Sequence, residues 1–311
     1  MTSNFLNSYR KGSTDKLQQA LAAAQNKFKR DERYWQLEVD KAGNGFAIIR
    51  FLDRPPCDGD EGVTFVSFYE HSFQGPGGWY IEKSLTSIDK DDPVNEYNSK
   101  LWATGIEENQ NIARRQKRKQ QFVANILVIK DPAHPENEGK VFLFKFGKKI
   151  YDKIHAKLNP RKGDFDSDTG EEIQPVNVVD IVEGSNFTLR ARKDKGFRNY
   201  DESEFSKTLT PIAKKEADIE RIINSAYSLK AEVDPATQYK TYAELKKRLD
   251  RVLAYTEGQA ATGSAEKATV ESEVPAAASK AVEEALRTVQ SDPDLQSFRD
   301  LASDTDDDIP F

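Results

Sequence analysis

Cysteine, methionine and histidine are scarce in this chain of 311 residues, which has one cysteine, one methionine and three histidines. A single cysteine, Cys57, excludes an internal disulfide and any zinc site built from several thiolates. The histidines, His71, His134 and His155, match no metal-ligand spacing, and we expect surface or structural roles for them. The sequence therefore predicts no cofactor and no metal.

Long apolar runs are also missing. No run approaches the roughly 20 apolar residues that cross a bilayer, and the first residues lack the apolar segment of a signal peptide. Charged residues make up 32% of the chain, which indicates that part of its length is unfolded. We expect a cytoplasmic protein without a membrane partner.

The sequence contains no recognisable catalytic motif. It has no P-loop, no G-x-S-x-G elbow and no H-E-x-x-H pair. Two aspartate runs, at 89–92 and 164–168, have the ligand type that Mg²⁺ prefers, but both lie among loop-forming residues. We expect a binding protein, and a metal-dependent nuclease is the weakest alternative.

Charge is divided unevenly along the chain. Residues 256–311 carry 13 acidic and 4 basic side chains, a net of −9, whereas the preceding 255 residues carry 42 basic and 39 acidic side chains, a net of +3. The net charge of −6 therefore comes from the tail. It does not argue against an anionic partner for the rest of the chain.

The stretch from Ile112 to Tyr151 organises the chain. It opens with a basic cluster, continues as a predicted strand from Phe122, and ends in KVFLFKFGKKIYDKI, which changes from strand to helix at Gly147. Cations beside strand-borne rings suit a surface for single-stranded nucleic acid, because cations follow phosphates and rings stack on bases. The candidate DNA-binding cations of the stretch are Arg114, Arg115, Lys117, Arg118, Lys119, Lys148 and Lys149.

Two interpretations of these residues remain open. Phe142, Phe144 and Phe146 alternate along one strand, so they share a face that is either core or platform. Phe122 and Tyr151, at element ends, are the better stacking candidates. The basic cluster is equally compatible with a solvated face.

A second set of cations and rings lies between residues 190 and 205. Phe197 and Tyr200, in the segment GFRNYDESEF, are close in sequence to several basic residues. We predict that this set also contacts nucleic acid. Its cations are Arg190, Arg192, Lys193, Lys195 and Arg198.

Short strands separated by glycine turns predict a mainly β fold with some α structure (α+β), built around a small barrel. Predicted strands include Trp35 to Val39, Phe46 to Leu52 and two within 176–196, and residues 89–111 are a predicted irregular insertion. Two amphipathic helices, near 217–227 and 241–255, close the core. We assign 31–256 to the core, 1–30 to a basic arm and 257–311 to a disordered acidic tail.

The two termini suggest contacts with other proteins. The arm places Arg10 and Lys11 just before Ser13 and Thr14, although a frayed terminus without a role explains the same composition. The tail ends in acidic residues followed by an apolar tip, the composition of a docking peptide. This tip comprises Asp306, Asp307, Asp308, Ile309, Pro310 and Phe311.

Several runs resemble the single-stranded DNA-binding (helix-destabilising) protein family of T-even-type bacteriophages. The runs are AGNGFAIIRFL (42–52), WYIE (79–82), ANILVIKDP (124–132), PENEGKVF (135–142), FGKKIYDKI (146–154) and GFRNYDESEF (196–205). The resemblance implies an oligonucleotide-binding (OB) barrel and cooperative binding through the arm, at Arg10, Lys11, Ser13 and Thr14. It also implies DNA contacts, at Arg50, Lys117, Arg118, Lys119, Phe122, Phe197 and Tyr200, with Tyr151 in a matching segment.

The chain departs from this family at its zinc module. His71 matches the family's histidine, but Ser84, Asp92 and Asn95 stand where it has cysteines. We therefore expect no structural zinc and a local replacement for the lost cross-link. Val123 stands where the family often has an aromatic residue, which weakens stacking there.

The tip DDDIPF is similar to the C-terminal tip of bacterial single-stranded DNA-binding proteins. The resemblances together imply a protein that coats single-stranded DNA in phage replication, recombination and repair, in the cytoplasm of the infected host. Its expected partners are neighbouring copies of itself and, through the tail, replication, recombination and repair proteins. An RNA-binding translational regulator is the alternative.

Overall fold

A computed structural model describes residues 31–166, 169–194 and 197–254. The predicted arm and acidic tail therefore lie outside the described residues, with Arg10, Lys11, Ser13, Thr14 and the tip from Asp306 to Phe311. The described chain divides into two units after Trp35. The first contains strand β1 (Tyr34–Trp35) and an ion pair between Arg33 and Asp31 at 2.7 Å.

Antiparallel strands form the framework of the second unit. They are β2 (Gly45–Phe51), β3 (Phe65–Gly75), β4 (Gly78–Lys83), β5 (Lys119–Lys130), β6 (Val141–Gly147), β7 (Gly184–Asp194), β8 (Phe197–Asn199) and β9 (Glu204–Thr210). One edge of β5 pairs with β6, and its other edge pairs first with β3 and then with β2. On the far side of β2, β7 pairs with β2, β8 and β9. The apolar run predicted as a strand is thus the strand that the sheet shares.

Rings from strands that are not neighbours meet in an aromatic interior. The Phe51 ring lies 5.5 Å from Phe146 and 6.3 Å from Phe144, although β5 separates their strands. Strands two positions apart in a sheet are about 9–10 Å apart, so these rings reach towards each other across β5. Phe187 and Phe205 complete this interior, at 5.8 and 6.2 Å from Phe51. Phe144 and Phe146 are therefore core residues.

Helices flank the sheet. Their bounds are α1 (Pro93–Ala103), α2 (Glu107–Arg115), α3 (Lys148–Leu158), α4 (Glu216–Asn224), α5 (Pro235–Gln238) and α6 (Tyr242–Val252). The predicted helices near 217–227 and 241–255 correspond to α4 and α6. A capping box between Thr241 and Glu244 begins α6. The described residues thus have the predicted mixed α+β class, and none of their helices combines the length and the apolar character needed to cross a bilayer.

Three sequence predictions were wrong. The predicted insertion holds α1 and α2, because Asp92 caps α1 and Pro93 fits its first turn. Residues 36–40 form no strand, and residues 176–183 form turns. The Asp180 carboxylate accepts from the backbone N–H groups of Val182 and Glu183, which favours a turn over a strand.

The extension of β3 and β4 has a core of its own with the helices. Its buried members are Phe73, Tyr80, Leu85, Val94, Leu245, Leu249 and Val252. The turn between the strands touches the end of α6, where the Gly77 N–H donates to the Val252 carbonyl at 2.8 Å. A Cβ at Gly77 would lie 1.9 Å from the Arg251 carbonyl oxygen, so only glycine allows this approach.

Candidate nucleic-acid interface

Three parallel rings connect the interior to the surface where β5 meets α3. Phe122 stacks on Phe146 at 5.6 Å between centroids and on Tyr151 at 4.4 Å, with interplanar angles of 18° and 9°. Phe65 packs edge-on against Phe122 and Tyr151. Phe122 is only 3% exposed, whereas Tyr151 and Phe65 are half-buried. Phe122 therefore supports the surface rings, and the prediction that a base stacks on it does not fit this structure.

A cation lies against a half-buried ring farther along the same face of β3. The Arg118 guanidinium lies 4.3 Å from the Tyr69 ring centroid. Phe65, Ser67 and Tyr69 share one face because side chains alternate along a strand, and Ser67 between the two rings is exposed. These residues form an open aromatic face beside the start of β5.

The basic cluster joins this face at the end of α2. Arg114 and Arg115 lie in the last turn of α2, Lys117 follows it, and Lys119 begins β5 opposite Glu70. Arg114 donates to the Asn111 side chain at 2.6 Å and lies over the Trp102 ring. Among the described residues, no carboxylate lies within 4.0 Å of Lys117 or Arg118. Arg118 beside the Tyr69 ring and its chain neighbour Lys117 are thus not neutralised by ion pairs within these residues.

Helix α3 adds two more of the predicted cations. Lys148 pairs with Asp152 at 2.7 Å and Lys149 with Asp201 at 3.4 Å. The contact to Asp201 brings the turn between β8 and β9 to α3, and the half-buried Tyr200 belongs to that turn. The structure therefore brings the backbone of Tyr200 near the element that carries Tyr151. The Phe197 side chain lies outside the described residues.

Two of the other predicted cations, Arg190 and Arg192, line a shallow cleft where β2 meets β7, and Lys195 lies outside the described residues. The Arg190 guanidinium lies 5.1 Å from the Phe46 ring centroid, and Arg192 pairs with Glu202 at 3.2 Å. Asn44, Gly45, Phe46, Arg190, Arg192 and Glu202 line the cleft. Arg198 on β8 lies opposite Lys193 of β7. A ring and cations meet at this second place on the sheet, but the ring is Phe46, which the prediction for these cations did not name.

Arg50 lies in the interior and corrects a prediction made from the family resemblance. The residue is 1% exposed, and its Nη2 donates to the carbonyls of Asp180 at 2.7 Å and Thr210 at 2.9 Å. Its Nη1 donates to the Asn186 side chain at 3.2 Å. Burial lowers the pKa of Arg50, and the nearby Asp180 charge opposes that shift. The guanidinium ties loops to the sheet and does not reach the surface.

The residues at the four zinc-module positions converge around a carboxylate. Asp92 Oδ2 accepts from the Ser84 hydroxyl at 2.9 Å and the Leu85 N–H at 3.0 Å. Its Oδ1 accepts from the N–H groups of Val94 and Asn95 and lies 3.3 Å from His71 Nε2. His71 Nδ1 lies 2.8 Å from the Gln116 carbonyl oxygen. Both Asp92 oxygens and His71 Nδ1 thus have hydrogen-bond partners, whereas His71 Nε2 lies near Asp92 Oδ1 without a hydrogen bond of good geometry.

Three aromatic residues of these surfaces, Phe46, Phe65 and Tyr69, were not among the site residues predicted from the sequence. The alternation in VTFVSFYEHSF was the available signal, because it places Phe65 and Tyr69 on one face of a strand. It does not indicate which strand lies beside them. The pairing of β3 with the start of β5 brings Arg118 over Tyr69.

Half-buried rings beside unneutralised cations on an antiparallel sheet define a nucleic-acid-binding protein. The chain belongs to the family described as gp32 DNA binding protein like, which matches residues 43–253. This membership confirms the resemblance on which the sequence predictions rested.

Two phage proteins illustrate the similarity. The single-stranded DNA-binding protein of Enterobacteria phage T4 is 40% identical over 241 residues, which cover 75% of this chain and 75% of that protein. Its counterpart from Enterobacteria phage T2 is 40% identical over 240 residues, 76% of this chain and 73% of that protein. A shorter match, 46% identical over 72 residues, links 22% of the chain to 61% of the single-stranded DNA-binding protein of Escherichia phage SV14.

Proposed function

We propose that this protein binds and coats single-stranded DNA without catalysing a reaction on it. The observation that supports this most directly is the contact of Arg118, which has no ion pair among the described residues, with the half-buried Tyr69 on the face that also carries Phe65. The cations replace counterions along the phosphates, and the rings take the faces of bases. A duplex keeps those faces stacked inside. Preferential binding to the open strand then stabilises it by mass action.

We also propose that the sheet is an OB barrel. The ring contacts of Phe51 with β6, β7 and β9 support it, because they bring non-neighbouring strands around one interior. The division of one edge of β5 between β3 and β2 supports it further, because a strand shared in this way must bend. In this proposal Phe65 and Tyr69 continue the face of the sheet that carries Phe122 and Phe146.

Titration of intrinsic fluorescence with oligo(dT), and with duplex of equal length, tests the proposed function. We expect tight binding to oligo(dT), weak binding to duplex, and a slope of log K against log salt of about −0.7 per phosphate neutralised. Equal affinity for both forms, or binding independent of salt, would contradict the proposal. Stronger binding to poly(U) than to poly(dT) would instead favour the RNA-binding regulator.

The replacement of the zinc module is a further part of the proposal. Zinc sites of this kind take thiolate and imidazole ligands, whereas this chain offers a hydroxyl, a carboxylate and an amide beside His71. The Asp92 oxygens already accept from Ser84, Leu85, Val94 and Asn95. These residues therefore do not fit a zinc ion, and we propose that the hydrogen bonds around Asp92 take its structural place.

For the termini we propose the roles that the resemblance implies. The arm at Arg10, Lys11, Ser13 and Thr14 would bind a neighbouring copy along the strand, in the cytoplasm of an infected bacterium during replication, recombination and repair. The tip from Asp306 to Phe311 would recruit proteins of those processes through its apolar residues, Ile309 to Phe311.

Removal of Ile309 to Phe311 tests the role of the tip. We expect the shortened protein to lose partners in a pull-down from infected cells and to keep its affinity for oligo(dT), because the tip contributes no phosphate-binding cation. The control is the full-length chain with Asp304→Ala, which changes the acidic tail but leaves the apolar residues Ile309 to Phe311 in place. A large loss of DNA affinity on removal of the tip would contradict the docking role.

A further inference from the structure

We propose that Tyr69 and Arg118 form a stacking subsite for one unpaired nucleobase. This inference rests on the proposed function and specifies part of the DNA-binding surface. The ring would take the base, and the guanidinium would contact the adjoining phosphate. The relevant observation is the 4.3 Å contact between a half-buried ring and a cation without an ion-pair partner among the described residues.

The backbone holds Tyr69 firmly from both edges of its strand. Its N–H donates to the Ser87 hydroxyl at 2.8 Å, and its carbonyl accepts from the Ser84 N–H at 2.7 Å. On the other edge β3 pairs with β5, with Tyr69 opposite Gln120. A ring carried on a backbone fixed in this way needs little backbone ordering when a base stacks on it.

The surface beside Tyr69 is open. Ser67 is exposed and lies between Phe65 and Tyr69 on the same face. At about 3.3 Å per residue, the two rings stand about 13 Å apart along the strand. A small hydroxymethyl group therefore forms the floor between two aromatic side chains. Flat bases can approach there without displacing a large side chain.

The cations that contact a ring on the opposite face of β3 differ from Arg118, because they have partners within the protein. Lys145 Nζ lies 5.7 Å from the Phe68 ring centroid, but it also pairs with Glu70 at 2.7 Å. Lys83 contacts the same ring and donates to the Glu232 carbonyl at 2.6 Å. Those cations are engaged within the protein. Arg118 has no comparable carboxylate partner in the described part of the chain and is available to a phosphate.

Variants of Tyr69 test the subsite in the full-length protein. We expect Tyr69→Leu to weaken binding to oligo(dT) about tenfold, within the range that one stacked base provides, without changing the salt slope. Tyr69→Phe keeps the ring and should stay within about twofold of the wild type. Tyr242→Leu removes an exposed tyrosine on α6 and is the matched control, with affinity unchanged. Thermal unfolding of each variant checks that it is folded.

Crosslinking locates the base directly. Oligo(dT) in which 5-iododeoxyuridine replaces single thymidines should form a photo-crosslink to Tyr69 of the wild type. Loss of that peptide in Tyr69→Leu, with other crosslinks retained, supports the subsite. Wild-type affinity in Tyr69→Leu, or no crosslink to Tyr69, overturns it while the proposed function stands. Failure of the wild type to bind oligo(dT) overturns both.

Discussion

Replacing Lys117 and Arg118 together by glutamine should lower the affinity for oligo(dT) about 25-fold at 0.1 M salt. The two cations lie beside the aromatic face, and no carboxylate neutralises them within the described residues. If each neutralises one phosphate, the slope of log K against log salt falls in magnitude by about 1.4, which gives this loss relative to 1 M salt. Fluorescence titration across a salt series measures both quantities.

A variant with the same change in charge separates a local contact from the net charge of the protein. Lys148→Gln combined with Lys149→Gln removes two cations that already pair with Asp152 and Asp201. We expect its affinity for oligo(dT) to fall less than about threefold, because the paired carboxylates already offset the charge of these two lysines. Equal losses in the two double variants would show that total charge, and not this surface, sets the affinity.

The shared strand of the fold was predictable from local pattern. FVANILVIK is a β-branched and apolar run, and in the structure residues 121–128 of β5 are all buried. Helices α1 and α2 were harder to predict, because their residues are mostly polar and few of them are buried. An aspartate followed by proline, Asp92-Pro93, was the signal that marked the start of α1.

The binding surface was less predictable, because how deeply a side chain is buried depends on contacts between residues that are distant in the sequence. Phe122 and Tyr151 have similar sequence surroundings, but three rings stack in depth and only the outer one is half-buried. The burial of Arg50 was even harder to predict from the sequence. Its partners, Asp180, Asn186 and Thr210, are 130–160 residues away in the chain. No local pattern distinguishes a guanidinium that binds carbonyls in the interior from one that binds phosphates at the surface.

Asp92→Ala should destabilise the protein by about 3–5 kcal/mol, the largest change in stability that we predict. The substitution removes the cap of α1 and the acceptor for Ser84 and Leu85, and it leaves the buried His71 without its carboxylate. A lost cap costs about 1 kcal/mol, and breaking a buried charged cluster costs several more. Urea unfolding measures the difference, with Asp91→Ala, one residue away and exposed, as the control.

The same carboxylate predicts how stability depends on pH. Burial alone would raise the pKa of Asp92, but the side chains of His71 and Ser84 and the Leu85 N–H lower it to about 2. Because the folded pKa lies below the unfolded value of about 4, this stabilisation is present above pH 4. It is lost as the pH falls from about 4 towards 2. The difference in the free energy of unfolding between the wild type and Asp92→Ala should therefore become smaller as the pH falls through that interval.

Chelation distinguishes the hydrogen-bonded cluster from a metal site. If the contacts of Asp92 replace the zinc, EDTA should leave the thermal unfolding midpoint of the wild type unchanged, because nothing that stabilises the fold is removed. A metal-dependent module unfolds when its ion is withdrawn. A midpoint that falls with EDTA and recovers with added zinc would contradict the replacement, whatever the effect of Asp92→Ala. An unchanged midpoint together with a destabilised Asp92→Ala would show that the hydrogen bonds of the Asp92 carboxylate, and not a metal ion, hold this part of the fold together.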